Sequence, residues 1–105
     1  LVESNSEELK QESTLDEEGL NFLWMLKTLT NPTDYKSYIN VIAYNAKVED
    51  FGTALFYLEE LLKVGYNNKK ELYNIDNTAL LRITPEYNEL IEKYLKDARY
   101  DVNEQ

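Results

Sequence analysis

The side chains of this chain that could do chemistry are mostly carboxylates. Aspartate and glutamate number 20 against 11 lysines and arginines, and the 105 residues include neither cysteine nor histidine. Without these two residue types, the sequence excludes disulfides, thiolate nucleophiles, imidazole bases and the usual zinc and haem ligands.

Adjacent carboxylates are the remaining candidates for catalysis or metal binding. They are the pairs Glu7/Glu8, Glu17/Glu18 and Glu59/Glu60. Neighbouring residues on a helix point about 100° apart, so these pairs do not converge on one scissile bond or one metal ion. The serines have no histidine to activate them, and the three glycines stand alone rather than in a phosphate-binding loop. We therefore expect no catalytic residue, no cofactor and no metal ion, and classify the chain as not an enzyme.

A polar stripe on one predicted helix is the candidate for partner binding. It consists of Lys36, Asn40, Tyr44 and Lys47. The spacings of four, four and three residues place these side chains on one helical face. Their ammonium, amide and phenol groups suit charge-assisted hydrogen bonds to an acidic or extended peptide. A solvated helix face without a partner is the competing interpretation.

The elements that would position this stripe are helices. Acids after Ser13-Thr14 indicate a capping box, and a first helix over 15–30 ends before Asn31-Pro32. A second helix follows Thr33-Asp34, and a third runs from the N-cap Asp50 to Gly65. Two helices joined by so short a link lie antiparallel, as a hairpin.

Shorter helical turns over 72–75 and 79–81 follow the hairpin, and the last helix begins at Thr84-Pro85-Glu86 and covers 85–99. No segment alternates as a strand does, so the predicted fold class is all-α. The predicted core consists of Phe22, Leu23, Trp24, Tyr38, Ile42, Ala54, Leu55, Leu58, Leu81, Leu90, Ile91 and Tyr94.

The hairpin at 35–65 resembles a tetratricopeptide repeat. The matching positions are Tyr38, Val41, Asp50-Phe51, Ala54 and Leu58. The chain departs from the repeat at four positions: Ile42 and Leu61 replace small residues, Asn45 a tyrosine and Tyr66 the closing proline.

A second resemblance concerns the C-terminal half. After Gly65-Tyr66 and Asp76, residues 81–90 read Leu-Arg-Ile-Thr-Pro-Glu-Tyr-Asn-Glu-Leu, similar to the capping helix that follows such repeats in many bacterial proteins. The implied architecture is a tetratricopeptide-like hairpin flanked by an N-terminal helix and a C-terminal capping helix, as a short α-solenoid or bundle. A single repeat needs such neighbours to complete its core.

The charge distribution suggests how the chain is divided. Residues 1–18 hold seven acids and one base, and they carry six of the nine net negative charges. We expect a flexible acidic leader over 1–12, a single helical domain over 13–99 and a tail over 100–105. Because the chain begins at Leu1 without methionine, we also expect it to be a piece of a longer protein.

Charge and hydropathy also limit the partners. The excess of carboxylates argues against nucleic acid, whose phosphates bind lysine and arginine, and no apolar run approaches the roughly 20 residues of a membrane span. The resemblance implies a non-catalytic module that binds a protein or peptide. The alternative is an accessory or regulatory domain attached to a catalytic domain, such as a bacterial hydrolase, in a longer parent protein. Self-association through the first helix is compatible with both, and bacterial cytoplasm and periplasm fit equally well.

Overall fold

Six helices make up the part of the chain that the structure describes. In this computed structural model the backbone is described for residues 16–103 and the side chains for residues 16–95. The helices are α1 (Glu17–Thr30), α2 (Tyr35–Lys47), α3 (Phe51–Lys63), α4 (Lys69–Tyr73), α5 (Ala79–Arg82) and α6 (Pro85–Asn103). Because no residue from 16 to 103 lies in a strand, the all-α prediction is confirmed.

The helix starts follow the polar residues that precede them. Asp16 caps α1, since its Oδ1 accepts a hydrogen bond from the backbone N–H of Gly19 at 2.8 Å. Asp50 caps α3 in the same way through the N–H of Thr53, at 3.3 Å. The sequence predicted the start of α1 two residues earlier, at residue 15, after a capping box whose Ser13 and Thr14 lie outside the described residues.

The start of the last helix was predicted correctly. The Thr84 hydroxyl oxygen accepts from the N–H of Tyr87 at 3.2 Å. Pro85 then occupies the first helical position, where its missing N–H leaves no hydrogen bond unmade. The helix continues to Asn103, beyond the predicted end at 99, and its backbone departs from helical geometry at Leu95 (φ −122°, ψ 31°). The proposed division into leader, domain and tail stays a prediction, and residues 1–12 lie outside the described part of the chain.

Two helix C-termini share one hydrogen-bond motif. At the end of α3, the N–H groups of Gly65 and Tyr66 donate to the carbonyls of Leu62 (3.1 Å) and Leu61 (3.3 Å). This is a Schellman motif, and Gly65 takes its left-handed position with φ 103°. The end of α2 repeats the pattern, with the N–H groups of Glu49 and Asp50 donating to Ala46 and Asn45. There the left-handed residue is Glu49, with φ 65°.

The core lies between the α2/α3 hairpin and the elements after it. Ala54 is fully buried and belongs to one cluster with Ile42 and Ala46, with Ile39 packed against it. The hairpin on which the fold prediction depends is therefore present. The buried apolar residues are Tyr38, Val41, Ile42, Ala46, Ala54, Leu58, Leu61, Leu62, Tyr66, Leu72, Ile75, Leu81, Tyr87, Ile91 and Leu95. Of the other residues predicted to be inside, Leu55, Leu90 and Tyr94 are half-buried against this cluster.

Helix α1 is where the core prediction fails. The side chain of Phe22 is 62% exposed, and Leu23 and Trp24 are only half-buried. Among the described helices α1 packs mainly against α2, so a helix that is apolar around most of its circumference keeps part of that surface in water. No helix among the described residues has the length and apolar character needed to cross a membrane.

Candidate functional site

A groove runs along the outward face of α2. It consists of two adjoining cavities of about 520 Å³ and about 160 Å³, which share Asn40 and Asp76 in their walls. Residues of α2 form one side, residues 66–77 form the other, and Glu17 and Trp24 of α1 close the end near the smaller cavity. We call the two cavities together the α2 groove.

All four residues of the predicted polar stripe line this groove. Lys36 and Asn40 face the larger cavity, while Asn40, Tyr44 and Lys47 face the smaller one. The shared helical face that their spacing predicts is therefore present, and it lies in a concavity rather than on a convex surface. Their role in binding stays a prediction.

Lys47 is already engaged by a residue that sequence reasoning did not connect to it. Its Nζ donates to both carboxylate oxygens of Glu17, at 2.9 and 2.7 Å. Because both side chains are about half exposed or more, this ion pair contributes little to stability, about 0–1 kcal/mol. The ion pair holds the beginning of α1 beside the end of α2. Lys36, the other ammonium group of the groove, forms no ion pair with any of the described residues. No signal in the sequence links two residues 30 positions apart.

The wall opposite α2 is held by side-chain contacts. Nδ2 of Asn77 donates to the backbone carbonyl of Ala43 at 3.4 Å, which ties residues 74–77 to α2. Asn77 has φ 67°, a left-handed conformation that asparagine tolerates better than most residues. At the other end of the wall, the rings of Tyr35 and Tyr66 meet edge to face with centroids 5.1 Å apart. These contacts set the width of the groove.

The electrostatics of the groove are mixed. Its walls carry three carboxylates, Glu17, Glu71 and Asp76, and two ammonium groups, Lys36 and Lys47. The Tyr66 hydroxyl donates a hydrogen bond to Glu71. Burial, followed by this bond and the nearby carboxylate charge, raises the pKa of Tyr66 above its usual range. The two lysines thus do not make the groove basic.

A buried amide pair positions α1 against α2. Nδ2 of Asn45 donates to Oδ1 of Asn21 at 3.0 Å and to the carbonyl of Val41 at 2.8 Å. Both asparagines are buried. Removing either one would cost stability, because Oδ1 of Asn21 would lose its donor or Nδ2 of Asn45 would keep only the Val41 carbonyl. The sequence marked Asn45 only as a departure from the repeat pattern. An asparagine on an otherwise apolar helix face was the available signal, and Asn21 carries the same signal on α1.

The adjacent carboxylates Glu59 and Glu60 have different partners among the described residues. Oε2 of Glu59 accepts from the Tyr94 hydroxyl at 2.9 Å, whereas Glu60 bridges Lys63 at 3.2 Å, so the two neighbours act separately. Glu17 faces Lys47, and Glu7 and Glu8 lie outside the described residues. Between residues 16 and 95, no three carboxylates cluster as ligands for a metal ion.

Comparison of the chain with models of known protein families, with curated protein sequences and with solved structures gave no match.

Proposed function

We propose that this chain is a non-catalytic interaction module of tetratricopeptide-like type whose α2 groove binds an extended segment of a partner protein. The observation that carries the proposal is that Lys36, Asn40, Tyr44 and Lys47 line two adjoining cavities, which share Asn40 and Asp76. Residues 66–77 supply the second wall that turns this face of α2 into a concave surface.

The composition of the groove suits a peptide backbone. Amide side chains such as those of Asn40 and Asn74 offer both a donor and an acceptor, as an extended chain requires on each of its edges. Ile39 and Ile75 provide apolar surface between them, which side chains of the peptide can cover. The single unbridged ammonium, on Lys36, suits one carboxylate of the partner rather than a run of acids.

The tetratricopeptide-like assignment is supported by the packing of the hairpin, and one position at which the chain departs from the repeat has a structural explanation. Ala46 and Ala54 are small residues buried in the α2/α3 core, as the close crossing of two helices requires. Asn45 stands where the repeat has a tyrosine, and it uses that position for the hydrogen bond to Asn21. The departure therefore has a local explanation in the packing of α1.

A peptide selection tests the groove. Peptides would be selected from a displayed random library against the purified chain, and their dissociation constants measured for wild type and for the double variant Lys36→Ala/Asn40→Ala. We expect the double variant to weaken binding about ten-fold or more, as the loss of central contacts in an interface does. Lys70→Ala/Asn67→Ala changes the same residue types at exposed positions of the 66–77 segment that line neither cavity and should bind like wild type. Equal affinity of the selected peptides for all three proteins would refute the groove as the binding site.

The second candidate function is supported by an apolar stripe on α1. Phe22, Leu26 and Leu29 are 62, 44 and 76% exposed, and their spacing of four and three residues puts them on one face. Contiguous apolar surface of this kind marks interaction sites. It favours an accessory or regulatory domain whose α1 stripe packs against a catalytic domain of a longer parent protein. Sedimentation distinguishes this alternative from self-association through the same stripe, because only self-association makes the mass of the isolated chain rise with concentration.

A further inference from the structure

A second groove lies between α3 and α6, and none of its lining residues belongs to the α2 groove. Its volume is about 360 Å³. It is lined by Leu55, Phe56, Glu59, Glu86, Glu89, Leu90 and Lys93. We call it the α3–α6 groove.

The floor of the α3–α6 groove is apolar. Leu55 and Leu90 are half-buried and pack against the core, while the ring of Phe56 is 57% exposed. Phe56 meets the ring of Tyr57 edge to face, with centroids 5.2 Å apart. An aromatic ring fixed by a neighbour but left open to water has little side-chain entropy to lose when a partner covers it.

The charges around this floor are mostly negative, and two are uncompensated. Lys93 is the only cation in the lining; its Nζ lies 3.7 Å from Oε2 of Glu59 and 5.2 Å from the ring centre of Tyr94. Among residues 16–95, no cationic side chain forms an ion pair with Glu86 or Glu89. Within this described range, two carboxylates therefore border apolar surface without a cation paired to them.

We propose that the α3–α6 groove is a second binding site, for a basic segment of a partner protein in which a large apolar side chain is flanked by lysine or arginine. The apolar side chain covers Phe56 and Leu90, and the flanking cations approach Glu86 and Glu89. The charge makes the encounter faster and salt-dependent, because exposed ion pairs are screened by salt. The exposed ring of Phe56 supplies an apolar contact, which a surface carrying only carboxylates lacks.

An NMR titration tests this proposal. The probe is a short capped peptide of lysine, leucine and alanine, added to the ¹⁵N-labelled full chain at low salt. We expect the largest amide shift changes at residues 55–59 and 86–90, and weaker binding as sodium chloride is added. The same peptide with glutamate in place of lysine should produce no shift changes in this groove. Shift changes spread evenly over the acidic surface of the chain, or centred on the α2 groove, would overturn the proposal.

Variants separate the contribution of charge from that of the ring. Glu86→Gln/Glu89→Gln removes the two uncompensated carboxylates, and Phe56→Ala removes the exposed ring; each should weaken the peptide about ten-fold. Glu18→Gln/Glu49→Gln removes the same number of charges at exposed positions outside both grooves and should bind like wild type. If this control weakens the peptide as much as Glu86→Gln/Glu89→Gln does, the attraction is due to net charge alone and the site does not exist. Thermal unfolding of each variant confirms that the fold is retained, as expected for exposed positions.

Discussion

Two buried tyrosines differ in whether the hydroxyl group has a hydrogen-bond partner among the described residues. The side chain of Tyr66 is 6% exposed, and its hydroxyl donates to Glu71. Tyr87 is 2% exposed, and its hydroxyl has no hydrogen-bond partner among the described residues. Burial raises the pKa of both phenols above the usual range. The two residues should therefore respond differently to replacement by phenylalanine at neutral pH and similarly at alkaline pH.

At pH 7 we expect Tyr87→Phe to raise the free energy of unfolding by about 1 kcal/mol, because it removes a buried polar group that has no partner. Tyr66→Phe should lower it by about 1 kcal/mol, because it removes a hydrogen bond to a charged acceptor. Chemical denaturation of both variants beside wild type measures the difference. A loss of stability in Tyr87→Phe as large as that in Tyr66→Phe would show that the hydroxyl of Tyr87 is satisfied.

The raised pKa values also predict instability in alkali. The unfolded chain loses its phenol protons near pH 10, whereas the folded chain keeps them to higher pH. The stability that each buried phenol contributes is therefore fully present below pH 10. Above pH 10 the free energy of unfolding falls by about 1.4 kcal/mol per pH unit for each tyrosine, because ionisation favours the unfolded chain. Removing either phenol should therefore make the loss of stability above pH 10 less steep, as followed by denaturation at several pH values. An unchanged slope in both variants would contradict the assignment.

At the residue scale, the sequence predicted which side chains share a helix face better than it predicted which polar side chains pair with each other. It placed Lys36, Asn40, Tyr44 and Lys47 on one face because helical spacing alone decides that. It could not pair Lys47 with Glu17, or Asn45 with Asn21, because both contacts depend on the angle at which α1 crosses α2. That angle follows from packing rather than from local pattern.

At the scale of the element, the two Schellman motifs permit a direct comparison. Gly65 ends α3 with φ 103°, and Glu49 ends α2 with φ 65°. A left-handed backbone costs a residue with a Cβ about 1–2 kcal/mol. Glycine avoids this cost but loses more chain entropy on folding, which offsets part of its advantage. An added Cβ at Gly65 would meet no atom within 4 Å, so the cost of a substitution there is one of backbone conformation alone.

We therefore expect Glu49→Gly to stabilise the chain by about 0.5–1 kcal/mol and Gly65→Ala to destabilise it by about 1–2 kcal/mol. Thermal or urea unfolding measures both changes. Glu49→Ala is the matched control, since it removes the carboxylate but keeps the Cβ, and it should not reproduce the gain. If Glu49→Ala stabilises as much as Glu49→Gly, charge rather than backbone geometry explains the effect.

Helix positions were largely readable from the sequence because the caps are local. Asp50, Gly65 and Thr84-Pro85 each act through residues within a few positions, and the structure places the helix ends there. No helix-ending residue type marks the end of α2, since glutamate carries no left-handed preference. The extension of α6 to Asn103 had no local signal either.

At the scale of the whole molecule, the exposed α1 stripe is the main departure from the expected core. The sequence showed that α1 is apolar around most of its circumference and that such helices are usually covered on several sides. Which neighbours cover it is a property of the assembled fold, and among the described residues α2 is its principal neighbour. The prediction of a buried Phe22 was wrong for this reason.

The exposed α1 stripe of Phe22, Leu26 and Leu29 leads to a prediction for the isolated chain. Phe22→Ser/Leu29→Ser should reduce binding of an apolar fluorescent dye and abolish any rise of sedimentation mass with concentration. Its free energy of unfolding should stay within about 0.5 kcal/mol of wild type, because both side chains are exposed. Leu80→Ser/Ile83→Ser, at exposed positions of 57 and 74% on and just after α5, is the matched control and should leave most of the dye binding intact. A loss of stability above about 2 kcal/mol in the α1 variant would mean that the stripe is covered within the chain itself.

The buried amide pair between α1 and α2 has a consequence for how this sequence can evolve. A mutation of Asn21 or Asn45 alone removes the hydrogen bond between α1 and α2 and leaves the other buried amide only partly satisfied, whereas replacing both with leucine removes the two polar groups together. The two positions should therefore change together in descendants of this chain, and covariation between them would carry the contact through lineages in which the rest of α1 has drifted.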